Sequence, residues 1–142
     1  MKQMSIDERL REIAKATLPD YSYIYENWYD ADQAVSRVSL PAIIHILPVS
    51  GNIERRNGRK SDTENCALAF IDKVPRNALG EDNAKVFQSM KDAAFSFLAA
   101  VEKSGYFEPL PEVVEYQVIC EQFSDIVTGI MITPTLKETR HC

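Results

Sequence analysis

The chain has 142 residues, 45% of them hydrophobic and 26% charged, with a formal net charge of -5 at pH 7. These totals fit one folded domain spanning 1–142 and exclude a disordered tail or a fibrous repeat. The acidic balance also excludes a protein whose main task is to neutralise phosphates, which needs a clustered cationic face, so no direct nucleic-acid recognition is expected.

Residues 1–5 lack the apolar core of a secretory signal. Ser5 and Glu8 stand at capping-box spacing and start a helix. Its apolar positions Ile6, Leu10, Ile13, Ala14 and Leu18 fall at helical spacing, while Glu8, Arg9, Arg11, Glu12 and Lys15 occupy the other face. Pro19 stops it, because the residue before a proline is pushed out of the α region. Tyr21, Tyr23 and Tyr25 then alternate with Ser22 and Ile24, the period of a short strand whose tyrosines either cover a core edge or stack a ligand. Residues 27–36, which include Trp28, Asp30 and Asp32, keep no steady period and are expected to be a connection.

Residues 40–49, rich in Ile and bounded by Pro41 and Pro48, are the strongest strand candidate of the first half. A long polar loop is expected from Ser50 to Asp62, with Asn57 and Gly58 at its tip, since that pair favours the positive φ of a hairpin turn. Its Arg55, Arg56, Arg59 and Lys60 form a basic patch that Glu54, Asp62 and Glu64 dilute. Residues 66–72 return as a strand. A second helix, capped by Asp82 or Asn83 and running to about Lys103, carries an apolar stripe of Val86, Met90, Ala93, Ala94, Phe97, Leu98 and Val101. Phe87 and Phe95 widen that stripe and suggest cover on more than one side. Ser104 and Gly105 end the helix.

Two β-rich runs, 113–120 and 126–133, close the chain as an antiparallel hairpin. The order of elements implies an α+β fold: a mostly antiparallel sheet packed on one face by the long helix, with the N-terminal helix at the edge. The last run places Ile126, Ile130 and Ile132 on one face and Val127 and Met131 on the other. If one helix covers one face of the sheet, the second face needs a partner, so a homo-oligomer using Ile126, Ile130 and Ile132 is expected.

No residue cluster announces a reaction. Nucleophilic catalysis needs a base, and the two histidines are His45, inside the Ile-rich strand, and His141, beside the end. Cys66, Cys120 and Cys142 stand at no ligand spacing to a histidine, so no zinc site, cofactor or catalytic residue is expected. Cys66 and Cys120 read as small hydrophobes within strands. Asp30 with Asp32, and Glu121 with Asp125, miss the oxygen-donor series of a calcium loop. No apolar run reaches the length of a bilayer span, so a cytoplasmic location without membrane contact is expected.

With that order of elements, the chain resembles the small tail-terminator, tail-completion and head-tail joining proteins of long-tailed phages and prophages. The resemblance rests on residues 40–48, the amphipathic helix 83–103 with Ser104, Gly105, Tyr106 and Phe107 after it, and the ending 123–133. It implies a virion-assembly protein that forms a ring at the end of the tail tube, in the bacterial host cytoplasm and then in the virion, without catalysis. It also implies that a long loop, here 50–62, reaches a neighbour or another tail or connector protein, where Arg55, Arg56, Arg59 and Lys60 meet acidic surfaces. Two other readings stay open: a small enzyme with Asp30, Asp32 and Asp125 around a metal, and a cytosolic binding module that stacks a ligand on Tyr21, Tyr23, Tyr25 and Trp28.

Overall fold

The computed structural model describes residues 4–47, 50–123 and 126–139, and of Arg56 and Arg59 the backbone alone. Helix α1 (Ile6–Thr17) leads to strand β1 (Ser22–Glu26), helix α2 (Trp28–Ser36) and strand β2 (Ala42–Ile46). A hairpin of β3 (Gly51–Arg56) and β4 (Arg59–Asn65) follows, then β5 (Ala67–Lys73) and the long helix α3 (Gly80–Lys103). Strands β6 (Tyr116–Gln122), β7 (Val127–Ile132) and β8 (Thr135–Lys137) close the order. The strands form one sheet in the order β1-β2-β5-β7-β6 and a second in the order β3-β4-β8. Among these pairings only β1 with β2 is parallel. The expected α+β class, with α3 packed against the sheet, is what the chain adopts.

Local chemistry explains most element ends. Ser5 Oγ accepts the Glu8 N–H at 3.1 Å and caps α1. Asn57 and Gly58 both take positive φ, 51° and 77°, the combination that lets a two-residue turn join β3 to β4 without splaying them. Helix α3 starts earlier than its acidic residues suggested: Leu79 is the cap, and the Asp82 carboxylate reaches back to accept the Leu79 N–H at 2.9 Å. Gly129 lies mid-strand in β7 because a Cβ there would run into the Phe70 carbonyl oxygen of β5.

Helices α1 and α3 share one face of the large sheet, over a core of Leu10, Ile13, Phe70, Met90, Phe97 and Ile130. The Phe70 and Phe97 rings meet edge to face, 5.8 Å between centroids. The opposite face is covered too. Residues 27–36 are a helix and not the expected connection: Asn27 caps it by accepting the Asp30 N–H at 2.9 Å, and Ala31 and Val35, four apart, point to the sheet. They pack with Ile24, Ile44, Ile71, Ile119 and Val127 into a second core.

That cover corrects the sequence reading of the last strand. Ile130 and Ile132 are 2% and 3% exposed inside the chain's own core, and β7 is an inner strand between β5 and β6. Ile126 precedes β7, at φ 53° in the turn. The apolar exposure expected on β7 lies instead on the neighbouring edge strand β6, which begins at Tyr116 and not at Val113. There Val118 is 56% exposed and Cys120, expected to be a buried hydrophobe, faces solvent. Phe95 is 77% exposed, so α3 is not covered on that side within the chain. The supposed long loop 50–62 is mostly the β3–β4 ladder, paired from Gly51 with Glu64 to Arg56 with Arg59. Arg9, placed on the solvent face by its charge, is buried with its guanidinium 4.2 Å from the centre of the Tyr106 ring. Pro48, Val49, Asp125, His141 and Cys142 lie outside the described residues.

Candidate functional site

The β2 register sends alternate side chains to opposite faces, Ile44 to the α2 side and Ile43 to the α1 and α3 side. His45 follows Ile43 onto the latter face, in line with Tyr25, its β1 partner, and beside Tyr23. The chain leaves β4 at Asn65 and enters β5 at Ala67, which places Glu64 and Cys66 against the same histidine where the two sheets meet. Asp7, on the first turn of α1, closes the group from above.

His45 is completely buried and is engaged through both ring nitrogens. Its Nδ1 lies 2.8 Å from the Tyr23 hydroxyl and 3.4 Å from Asp7 Oδ1. Its Nε2 lies 3.2 Å from Glu64 Oε1. Tyr23 donates its hydroxyl proton to Asp7 Oδ1 at 2.9 Å, and the Cys66 thiol donates to the same Glu64 Oε1 at 3.6 Å. Asp7 and Glu64 retain only 17% and 14% of their side-chain exposure. Arg11 stands over the outer side, 3.8 Å from Asp7 Oδ2 and 4.9 Å from the Tyr23 ring centre. Tyr25 lies tilted on the imidazole, with 4.6 Å between ring centroids.

The proton count follows from these contacts. A tyrosine hydroxyl has one proton; when Asp7 receives it, the short Nδ1 contact is a hydrogen bond in the tautomer that carries the imidazole proton on Nδ1. In a neutral imidazole, Nε2 would then point a lone pair at a carboxylate oxygen. In that tautomer the contact is favourable when a positive species lies between Nε2 and Glu64; in the other tautomer Nε2–H donates to Glu64 directly.

Cys66 is not set up as a nucleophile. Burial pushes its thiol up from the ordinary range, and the adjacent Glu64 carboxylate pushes it the same way. Tyr23 is raised as well, first by burial and then by Asp7, so it stays a proton donor. Without a metal, neither the Tyr23 hydroxyl nor the Cys66 thiol is set up to lose its proton at neutral pH.

Among the described residues, His45, Glu64 and Cys66 form the one group of three potential metal-ligating side chains, with donor atoms all within 4.8 Å of one another. The sequence reading assigned no metal or site role to any of the three. Their separations, 19 residues from His45 to Glu64 and two more to Cys66, fit no linear ligand motif, and only the β2–β5 pairing and the sheet junction bring them together. An Ile-rich run interrupted by His45, beside tyrosines at period two, was the available signal.

The other sequence-derived groups separate. Asp30 is drawn into capping, accepting from Asn27 Nδ2 at 2.8 Å, and lies with Asp32 on α2. Trp28 packs on Phe123 at 4.9 Å between ring centroids, across the sheet from Tyr23 and Tyr25, so the aromatic residues make no continuous platform. Arg55 and Lys60 stand opposite each other near the tip of the β3–β4 hairpin, and Arg56 pairs in register with Arg59. No helix among the described residues is long and apolar enough to cross a membrane. The sequence matches no protein-family model and shows no significant similarity to a curated protein.

Proposed function

We propose that this chain is a structural assembly protein of the phage or prophage tail type, a terminator, completion or head-tail joining protein that acts by ring-type self-association. The observation that carries the reading is the edge strand β6. It ends the large sheet, and its side chains on the α3 face, Tyr116 and Val118, are about half exposed. Phe95 on α3 and Val113 before β6 are each 77% exposed, and a cleft of about 320 Å³ lies between Phe95, Leu98, Leu110 and Val114. An apolar edge of this kind is a template for another chain unless something covers it.

The β3–β4 hairpin supplies a second contact. Its register sets Arg55 against Lys60, and like charges directly opposite on a ladder are unfavourable. An acidic surface on another copy or another virion protein relieves that repulsion, and the chain is acidic overall.

The test is mass in solution by light scattering and sedimentation, with electron microscopy of any ring. Wild type is expected to associate in the micromolar range, and Val118→Lys to be monomeric with an unchanged circular dichroism spectrum. A wild type that stays monomeric at several hundred micromolar, alone and with tail tubes, overturns the reading. Charge reversal at Arg55, Arg56, Arg59 and Lys60 that leaves assembly unchanged removes the hairpin from it.

A further inference from the structure

We propose that His45, Glu64 and Cys66 bind a zinc-class divalent ion that ties β2 to the β4–β5 junction, held in orientation by Tyr23 and Asp7. This goes beyond the assembly reading and does not depend on it.

Three observations carry the site. The first is donor spacing. With zinc–nitrogen and zinc–oxygen distances near 2.0–2.2 Å and zinc–sulfur near 2.3 Å, tetrahedral geometry separates neighbouring donors by about 3.3–3.7 Å. Nε2 and Oε1 are 3.2 Å apart, and Sγ and Oε1 are 3.6 Å apart. The second is the hydrogen-bond order: with Tyr23 donating to Asp7 and Nδ1 donating to Tyr23, the Nε2 lone pair faces Glu64 and the position between them suits a cation. The third is the shell behind the ligand. A metal-bound imidazole characteristically donates its other N–H to a carboxylate or an equivalent acceptor, which sets its tautomer and its ring plane. The Nδ1–Tyr23–Asp7 relay does this at 2.8 and 2.9 Å.

The mixed sulfur, nitrogen and oxygen donor set favours zinc, and with it cobalt(II) and cadmium, over magnesium or calcium, which prefer oxygen alone. On binding, the ion takes the place of the Cys66 S–H proton and of any proton held between His45 Nε2 and Glu64, which pass to solvent, and three protein donors leave a fourth position for water. The ion then anchors to one another strands of two different sheets.

The experiment is titration of the full chain with cobalt(II) alone, followed by absorption spectroscopy. One equivalent is expected to produce an intense near-ultraviolet thiolate-to-cobalt band together with visible bands of a four-coordinate ion. The Cys120→Ser/Cys142→Ser variant is expected to keep both; Cys66 is then the one cysteine left. Cys66→Ser is expected to lose the near-ultraviolet band. Glu64→Gln should weaken cobalt binding at least tenfold, and Tyr23→Phe roughly tenfold through loss of orientation. If Cys66→Ser does not fold, the double serine variant decides alone. Absence of a stoichiometric band in wild type, or its loss in the double variant, overturns the proposal and leaves a proton between His45 Nε2 and Glu64. Unchanged affinity in folded Glu64→Gln removes Glu64 from the ligand set.

Discussion

Ile130→Ala distinguishes a core strand from an interface strand in one measurement. Ile130 lies in a cross-strand row between Phe70 of β5 and Val118 of β6, under α3, and is 2% exposed. The substitution removes three carbon atoms. At about 0.8 kcal/mol for each buried carbon the transfer loss is about 2.4 kcal/mol. The cavity left beside Phe70 and Phe97 brings the expected cost to about 3–4 kcal/mol. For a chain of this size that lowers Tm by roughly 10 °C. Val118→Ala, one strand further out in the same row, removes carbons already half in water and should cost under about 1 kcal/mol.

Urea unfolding of both variants is read by circular dichroism and by the fluorescence of Trp28, the one tryptophan, whose contact with Phe123 lies on the far face of the sheet. Runs at two protein concentrations tenfold apart separate folding from association. If Ile130 belongs to the chain's own core, its cost persists at both concentrations. A cost below about 1 kcal/mol for Ile130→Ala, or one that disappears at high concentration while the mass shifts, would show that β7 is an intermolecular surface and refute the core assignment.

Thr128 Oγ1 is buried, donates to Asn83 Oδ1 at 2.8 Å and accepts the Glu121 N–H at 3.1 Å. Thr128→Val strands both partners, so it should cost about 2–3 kcal/mol, and hydrogen exchange at the Glu121 amide should accelerate. Cys120 should react with a thiol reagent at neutral pH in the native chelator-treated protein, whereas Cys66 should react only on unfolding; mass-mapped alkylation reads both. The folded state holds the Cys66 proton more tightly than the unfolded chain does. The associated stability is therefore complete below the unfolded thiol pKa of about 8.5 and declines as pH rises past it. Tyr23, Tyr21 and Tyr25, also raised by burial, extend the decline above about pH 10. Urea midpoints of the chelator-treated protein from pH 7 to 11 should fall throughout that window, and Cys66→Ala should flatten its first part; a midpoint independent of pH from 8 to 10 would contradict the burial of the thiol.

The parts of the fold legible in the sequence are those set by local signals. The Ser5 and Glu8 pair starts α1, the Asn57-Gly58 tip turns a hairpin, and the stripe of Met90, Ala94, Phe97 and Val101 faces the sheet because side chains three and four apart share one side of a helix. Helix α2 was hidden because nine residues carry only two buried apolar positions, Ala31 and Val35, and its strongest mark is a cap, Asn27, that also reads as a loop residue. The β3–β4 ladder was hidden because its residues are mostly polar and its large hydrophobic residue, Ile53, is exposed. The histidine cluster was least legible of all. Its members come from α1, β1, β2, β4 and the step into β5, and nothing in a linear pattern reports which side chains a sheet junction will bring together.

Covering both faces of the large sheet changes what self-association requires. A bare β7 face would have paired by stacking, and a two-fold stack closes at a dimer. With α2 on one face and α1 and α3 on the other, apolar surface stays open at the β6 side of the sheet, while β1 forms the opposite edge and the basic hairpin, with exposed Ile53, lies on the second sheet. Contact of β6 with its own copy is isologous and also stops at two. Contact of β6 with a different surface, the β1 edge or the hairpin of the next copy, is head to tail and closes into a ring when the rotation per subunit divides a full turn. A ring through the hairpin therefore places Val118 and the hairpin cations on different sides of the same interface. Their placement on separate sheets of the fold is compatible with that arrangement.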